Sequence, residues 1–284
     1  MSNKLIDGKV VSEKIRGEIK ISVDKLKKKN STVPGLAAVL VGEDGPSQIY
    51  VRNKRKACEN VGIYSEEHKM PENTSEDELL KLIDKLNNQE NINGILIQLP
   101  LPKHINETKI LNSVNPDKDV DGFHPVNAGN LFEGKPSYIA CTPHGIIKML
   151  EHYELDIEGK NAVVLGRSNI VGKPAAILLL QKNATVTVCH SRTKNIEEIL
   201  KNADIIVAAI GRAKYVTKSM VKKDAIVIDV GINRLETGKL VGDVDFDEVH
   251  DIASMITPVP GGVGPMTITM LLWNTLKSYE NSIS

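Results

Sequence analysis

Cysteine is scarce. The 284-residue chain holds three, Cys58, Cys141 and Cys189, an odd number at wide spacing and without a CxxC pair. That pattern supports neither a disulfide framework nor a zinc knuckle, so no metal is expected and the thiols read as reduced. An excess of charge of one sign is missing as well: 36 basic and 36 acidic side chains leave a formal net charge of zero. This argues against a generally basic nucleic-acid binder but leaves room for a local basic pocket. No apolar run approaches the ~20 residues of a membrane span. The first ten residues are interrupted by Asp7 and lack the apolar core of a secretory signal. The chain is therefore expected in the cytoplasm, with neither membrane nor nucleic acid as a partner. There is no internal repeat. With 41% apolar and 25% charged residues the composition is that of a globular protein, long enough for one large domain or two ordinary ones.

What is present is an alternation of strand-like and helix-like runs, the pattern of an α/β protein with parallel sheet. Val11, Ile15, Ile19, Val23 and Leu26 recur at helical spacing and open the chain with a long amphipathic helix. A strand over 36–41, a helix from about Pro46 to Val61 and a strand over 94–99 follow. Ser75 with Glu78 reads as a capping box between them. From Val114 to Pro143 the periodicity fades, which suits a functional loop or domain junction. Thr142-Pro143 reads as the N-cap and first position of a helix to about Tyr153. The runs 161–165, 185–189, 204–210 and 225–230 are rich in Val and Ile, and helical segments separate the first three. This is the parallel βαβαβ pattern of dinucleotide-binding domains. Pro265 opens a last helix, to about Tyr279.

The first of those strands runs into Gly166-Arg167-Ser168-Asn169-Ile170-Val171-Gly172-Lys173-Pro174. Gly166 allows a tight turn, and the helix N-terminus behind it offers N–H groups and a positive dipole to pyrophosphate. The match to GxGxxG is imperfect, because Ser168 stands at the second glycine and Gly172 comes one place late. The next strand ends Cys189-His190-Ser191-Arg192, with no acid before Glu197. A ribose 2′-hydroxyl would call for an acid there. A hydroxyl and a guanidinium suit a 2′-phosphate instead, so NADP is preferred over NAD. The alternative is that Arg192 is only a solvated loop residue.

On the helix around residue 50, Ser47, Tyr50, Lys54, Ala57, Cys58 and Val61 share the face that should turn inward. An inward lysine is rare unless paired or functional. Burial would lower its pKa and let it pass a proton near neutral pH. The competing reading is a lysine that snorkels to water from the edge of the stripe. Gln98 ends an apolar strand, where α/β proteins place ligands, and could hydrogen-bond Lys54 without giving it a counter-charge. It could equally satisfy a buried backbone group. Asp121 lies in Asp119-Val120-Asp121-Gly122, first of all a turn. Near the C-terminus, Pro260-Gly261-Gly262-Val263-Gly264-Pro265 either lets backbone approach a flat ligand or forms a hinge.

Five segments in this order carry a family resemblance: Tyr50-Val51-Arg52-Asn53-Lys54, Gln98-Leu99-Pro100-Leu101-Pro102, Asp119-Val120-Asp121-Gly122-Phe123, the 166–174 loop and Pro260 to Thr267. Together they resemble the bifunctional methylenetetrahydrofolate dehydrogenase/methenyltetrahydrofolate cyclohydrolase (FolD) family over nearly the whole chain, without a fused synthetase domain. The resemblance implies oxidation of 5,10-methylenetetrahydrofolate with NADP, hydrolysis of the methenyl product to 10-formyltetrahydrofolate, and a homodimer. It implies that Lys54 is catalytic, that Gln98 positions and tunes it, that Tyr50 stacks near the pterin and that Asp121 accepts hydrogen bonds from the ring. Gly166, Arg167, Ser168, Ser191 and Arg192 would hold NADP, with Ile232 by the nicotinamide and Pro260 and Gly261 by the folate. The expected architecture is two α/β lobes with the active site in the cleft between them. Residues 1–140 and a returning C-terminal helix over 265–284 would form the catalytic lobe, and 141–264 a Rossmann-type NADP lobe. The rival readings are a shikimate dehydrogenase-like NADP enzyme and an NADP sensor without chemistry. The first leaves Gln98 and 260–267 unexplained. The second is opposed by intact Lys54, Gln98 and Asp121.

Overall fold

The computed structural model describes residues 4–283. The chain divides into two compact α/β units. The first is Lys14–Cys141 with the chain from Ile268 onward, and the second is Thr142–Thr267 with the chain up to Glu13.

The opening helix α1 (Gly8–Asn30) buries Val11, Ile15, Ile19 and Val23, the stripe read from its spacing. In the first unit it is followed by β1 (Gly35–Val41), α2 (Gly45–Val61), β2 (Tyr64–Met70), α3 (Glu76–Asn87) and β3 (Gly94–Ile97). The three strands are parallel in the order β2-β1-β3. All seven residues of the central β1 are buried, as expected of a strand covered on both faces. β2 escapes the sequence reading because it is an edge strand made of Tyr-Ser-Glu-Glu-His-Lys-Met. Its Glu66 accepts from Tyr64 Oη (3.3 Å) and Gln89 Nε2 (3.2 Å) and bonds His68 Nε2 (2.6 Å). Such charged strands protect a sheet edge from further pairing. The capping box of α3 is present, with Ser75 Oγ accepting from Glu78 N and Ser75 N donating to Glu78 Oε2. Beyond β3 the chain forms two short helices, α4 (Glu107–Ser113) and α5 (Pro125–Phe132), within and just before the stretch that has no readable period.

In the second unit α6 (Cys141–His152) is followed by β4 (Asn161–Leu165), α7 (Gly172–Gln181), β5 (Thr185–Cys189), α8 (Ile196–Lys201), β6 (Ile205–Ala208) and β7 (Ile226–Asp229). A small hairpin, β8 (Asn233–Arg234) with β9 (Leu240–Val241), a short α9 (Phe246–Val249) and β10 (Met255–Ile256) complete it. The parallel sheet has the order β10-β7-β6-β4-β5. The strand order reverses beside β4, which is where doubly wound sheets bind ligands. β4 and β5 match the sequence reading to the residue. α6 starts one residue before Thr142, whose hydroxyl is not a cap but bonds Thr267 Oγ1 at 2.8 Å. Residues 4–6 belong to this unit because they extend its open edge. Ile6 N donates to Ile256 O and Ile256 N to Lys4 O, both at 2.9 Å. A segment this short carries no periodicity to announce the pairing.

The last helix, α10 (Val263–Ser282), contributes most of its length to the first unit. There Asn274 Nδ2 donates to Val120 O (2.8 Å) and Ile139 O (2.9 Å). One turn on, Ser278 Oγ lies within bonding reach of Asn93 O (2.6 Å) and Asp117 O (2.8 Å). Both side chains are buried, so the carbonyls they serve have no water to fall back on. Replacing Asn274 with Ala is expected to cost about 1–3 kcal/mol of unfolding free energy. A lower urea midpoint at unchanged slope is the readout, and an unchanged midpoint would mean that the clasp contributes nothing.

Candidate active site

In the first unit the site is built on α2. Asp44 starts this helix, its carboxylate accepting from Ser47 N (2.9 Å) and Ser47 Oγ (2.6 Å), and Gly62 stops it with φ +82°. The inward stripe is Ser47, Val51, Ala57, Cys58 and Val61, all buried. Val51, not Tyr50, occupies the inward position of that turn. Tyr50 stands at the margin, 40% exposed, with its ring free to meet a ligand, and Lys54 is half-buried beside the stripe. Lys54 is therefore less enclosed than its place in the helical spacing implies.

Gln98 lies just past the end of β3, its N–H still donating to Val39 O at 2.9 Å. Its Oε1 accepts from Lys54 Nζ at 3.1 Å and its Nε2 donates to Leu99 O at 2.7 Å. The two alternatives for this amide are thus both realised. Asp121 sits in the turn after Lys118, closed by Gly122 N donating to Asp119 O at 3.2 Å. Burial pushes its carboxyl up to about 7, the Lys54 charge pulls it down and the Asp119 charge adds to the rise. The structure thereby brings Lys54, Gln98 and Asp121 together. Sequence reasoning missed three supporting residues. Asp119 is buried and accepts from His124 N (2.8 Å) and Asn127 Nδ2 (2.9 Å). Cys141 donates to Val120 O at 3.3 Å, and Asn274 holds the same carbonyl. Asp119 was visible in its motif. Asn274, 154 residues from Val120, left no local signal.

The second unit carries a cavity of about 300 Å³ at the C-terminal ends of β4, β5 and β6. Gly166, Arg167, His190, Ser191, Ile210 and Arg212 line it. Gly166 has φ +128° and faces the Ala209 carbonyl so closely that a Cβ would collide with it. Gly172 in turn abuts the Gly166 carbonyl, so the late glycine serves close helix–loop packing. Ser168 does not line the cavity. Its Oγ accepts from Val171 N and Gly172 N, each at 3.2 Å, which occupies two of the helix N–H groups expected for pyrophosphate. Arg192 is exposed on the loop after β5, its N–H donating to His190 Nδ1 at 3.2 Å. Arg212, not singled out in the sequence, stacks its guanidinium 4.6 Å from the Tyr215 ring centre. A backbone-lined turn, two arginines and a serine at a sheet switch point are a donor set that fits a dinucleotide. Ile232 is 51% exposed in the loop after β7. Pro260 and Gly261 also belong to this unit, not to the one that holds Lys54.

Among the described residues, no helix is long and apolar enough to cross a membrane. Residues 6–121 match the family model of the tetrahydrofolate dehydrogenase/cyclohydrolase catalytic domain, and residues 140–283 that of its NAD(P)-binding domain. The chain is 58% identical over 278 residues to the bifunctional protein FolD of Bacillus anthracis, covering 98% of this chain and 97% of that one. The crystal structure of the bifunctional FolD of Campylobacter jejuni superimposes with a TM-score of 0.96 at 52% identity, over 98% of each chain. That of the Trypanosoma brucei enzyme, complexed with NADP and an inhibitor, does so with a TM-score of 0.95 at 40% identity, also over 98% of each. With both halves matched in order, the chain belongs to the tetrahydrofolate dehydrogenase/cyclohydrolase family of bifunctional, NADP-binding folate enzymes.

Proposed function

We propose that Lys54 is the catalytic residue and moves the protons of the cyclohydrolase step, held in place by Gln98, while Asp121 recognises the pterin. The observation that carries this reading is the 3.1 Å bond from Lys54 Nζ to Gln98 Oε1 at the end of a parallel strand, with Asp121 close enough to feel the lysine's charge. Arg167, Ser191 and Arg192 would hold NADP, which when bound would supply the hydride acceptor for the methylene carbon of 5,10-methylenetetrahydrofolate, the oxidation that gives the methenyl cation. Water then adds to that carbon. Lys54 removes one of its protons, the bond to N5 breaks, and N5 gains a proton as 10-formyltetrahydrofolate forms, with one proton released overall. An amide suits position 98 because it orients the lysine without tying it in an ion pair. Tyr50, exposed one turn before Lys54, offers its ring to the pterin, and Asp121 as a carboxylate accepts from the ring N–H groups.

Arg167, Ser191 and Arg192 are assigned to the phosphates of NADP, with Arg192 on the 2′-phosphate and Ile232 near the nicotinamide. Ser168 acts through the loop, its hydroxyl accepting from Val171 N and Gly172 N ahead of α7. Pro260 and Gly261 are assigned to the folate. The absence of an acid in Cys189-His190-Ser191-Arg192 supports NADP over NAD. The same reading makes the protein a cytoplasmic homodimer. Family resemblance supports the dimer, and three free buried thiols suit a reducing compartment.

Lys54→Gln is expected to lower cyclohydrolase turnover by about a hundredfold or more with NADP affinity unchanged, measured by methenyl decay and cofactor titration. Unchanged turnover removes Lys54 from the mechanism. Arg192→Ala is expected to weaken NADP roughly tenfold or more and NAD little. Equal losses would show that Arg192 does not read the 2′-phosphate. Asp121 supplies a pH test. Its carboxyl titrates at about 7 in the folded chain against 3.8 for an unperturbed group. Between those values the folded state holds a proton that the unfolded state has lost, so this group's contribution to stability falls as pH rises through that window. Folate binding by the carboxylate form is expected to tighten from pH 6 to 8. Asp121→Asn should bind weakly and flatten both profiles, as followed by folate KM and by urea midpoints across pH.

A further inference from the structure

Two carboxylates in the second unit are almost completely enclosed: Asp229, at the end of β7, and Asp243, two residues past β9, are 3% and 0% exposed. Buried acids are rare unless they are compensated. Among the described residues no lysine or arginine pairs with either one. Peptide and amide N–H groups compensate them instead. Asp229 Oδ1 accepts from Gly231 N (3.0 Å) and Asp243 N (2.8 Å), and its Oδ2 from Val244 N (3.0 Å). Asp243 then reaches the loop after β6. Its Oδ2 accepts from Ile210 N (2.7 Å) and Gly211 N (2.9 Å), and its Oδ1 from Arg212 N (2.8 Å) and Asn233 Nδ2 (3.0 Å).

Three successive peptide N–H groups converging on one point form a nest, a backbone arrangement that binds anions. Here the protein fills the nest with an anion of its own. The fit leaves no room for side chains on the glycines around it. A Cβ on Gly231 would collide with Asp243 Oδ1, and one on Gly242 with Asp229 Oδ2. The loop held in this way is a wall of the cavity, through Ile210 and Arg212. The same relay fixes the neighbours of Ile232, Gly231 through Asp229 and Asn233 through Asp243.

We propose that Asp243 is a positioning residue for dinucleotide binding: its carboxylate, seated by Asp229, shapes the Ile210–Arg212 wall of the cavity and occupies N–H groups that would otherwise compete for the cofactor's phosphates. The proposal rests on that cavity being the NADP site. It concerns only the cofactor side, and the cyclohydrolase reaction needs no cofactor. The two activities therefore separate a local effect from general damage.

Asp243→Asn keeps the shape and removes the charge. It is expected to raise the KM for NADP roughly tenfold or more, with cyclohydrolase kcat and KM on methenyltetrahydrofolate, assayed without NADP, at wild-type values. Asp243→Ala empties the nest, and added formate is expected to restore NADP binding in part by refilling it. Should either variant fail to fold, Asn233→Ala removes one donor and leaves the three peptide bonds to Asp243. It is expected to raise the NADP KM about threefold with cyclohydrolase intact. An unchanged NADP KM in folded Asp243→Asn, or a parallel fall of cyclohydrolase, overturns the proposal. NADPH fluorescence titration of the wild type and of Arg167→Ala separates the premise. Equal binding by those two would place the cofactor elsewhere, whereas binding lost in Arg167→Ala but kept in Asp243→Asn would refute the role of Asp243 alone.

Discussion

A loop that sinks into a protein must find partners for its peptide groups, and that requirement organises both units. Parallel strands deliver their connections to one end of the sheet, where ligands bind and where the chain is irregular. Water is excluded from the deepest parts of such loops, and neither helix nor sheet supplies the missing bonds. In the first unit the shortage is of donors for carbonyls, met by the Asn274 amide and the Ser278 hydroxyl on α10. In the second it is of acceptors for N–H groups, met by Asp229 and Asp243. The turn that carries Asp121 and the wall that carries Arg212 are thus held by one device with its polarity reversed.

The chemistry in the first unit follows from how little is enclosed there. A fully buried lysine would need a strong compensating charge. A fully exposed one would have no fixed position. Lys54 lies between these limits, and its partner at position 98 is an amide whose other end is anchored to Leu99 O. The Lys54 charge in turn pulls down the Asp121 carboxyl, which burial has pushed up to about 7. A lysine and a carboxyl near enough for their charges to interact are thus each placed by a different element.

The parts of this arrangement that lay within one element were legible in the sequence. The α1 stripe, the Ser75–Glu78 box, β4 and β5 depend on neighbours a few residues away, and spacing records them. The inward face of α2 is legible in part: Ser47, Ala57, Cys58 and Val61 are buried as expected, but Val51 takes the place expected of Tyr50 and Lys54 stands at the edge of the stripe. The parts that lay between elements were not legible. β2 hides behind the charges that protect its edge, and residues 4–6 pair with a strand 250 positions away. Asn274 and Asp243 look like any polar residue in their own segments, since their partners are peptide groups that carry no side-chain signal. That the ligand is a folate came from the five segments taken as a family likeness, not from the physics of any one of them.

The three cysteines with which the composition was notable acquire a use from their burial. All are enclosed. Burial pushes the Cys58 thiol up to about 12 and raises Cys189, and burial together with the Asp121 charge lifts Cys141 well above its ordinary value. Thiolate is the form that alkylating reagents attack, so in the folded chain these side chains are shielded both sterically and electrostatically. Their modification must wait for local or global opening. Because Cys58 and Cys141 lie in the first unit and Cys189 in the second, the native sequence carries a built-in clock for each half. The rate at which each thiol succumbs to a small alkylating agent records how often its own unit breathes, with no engineered probe.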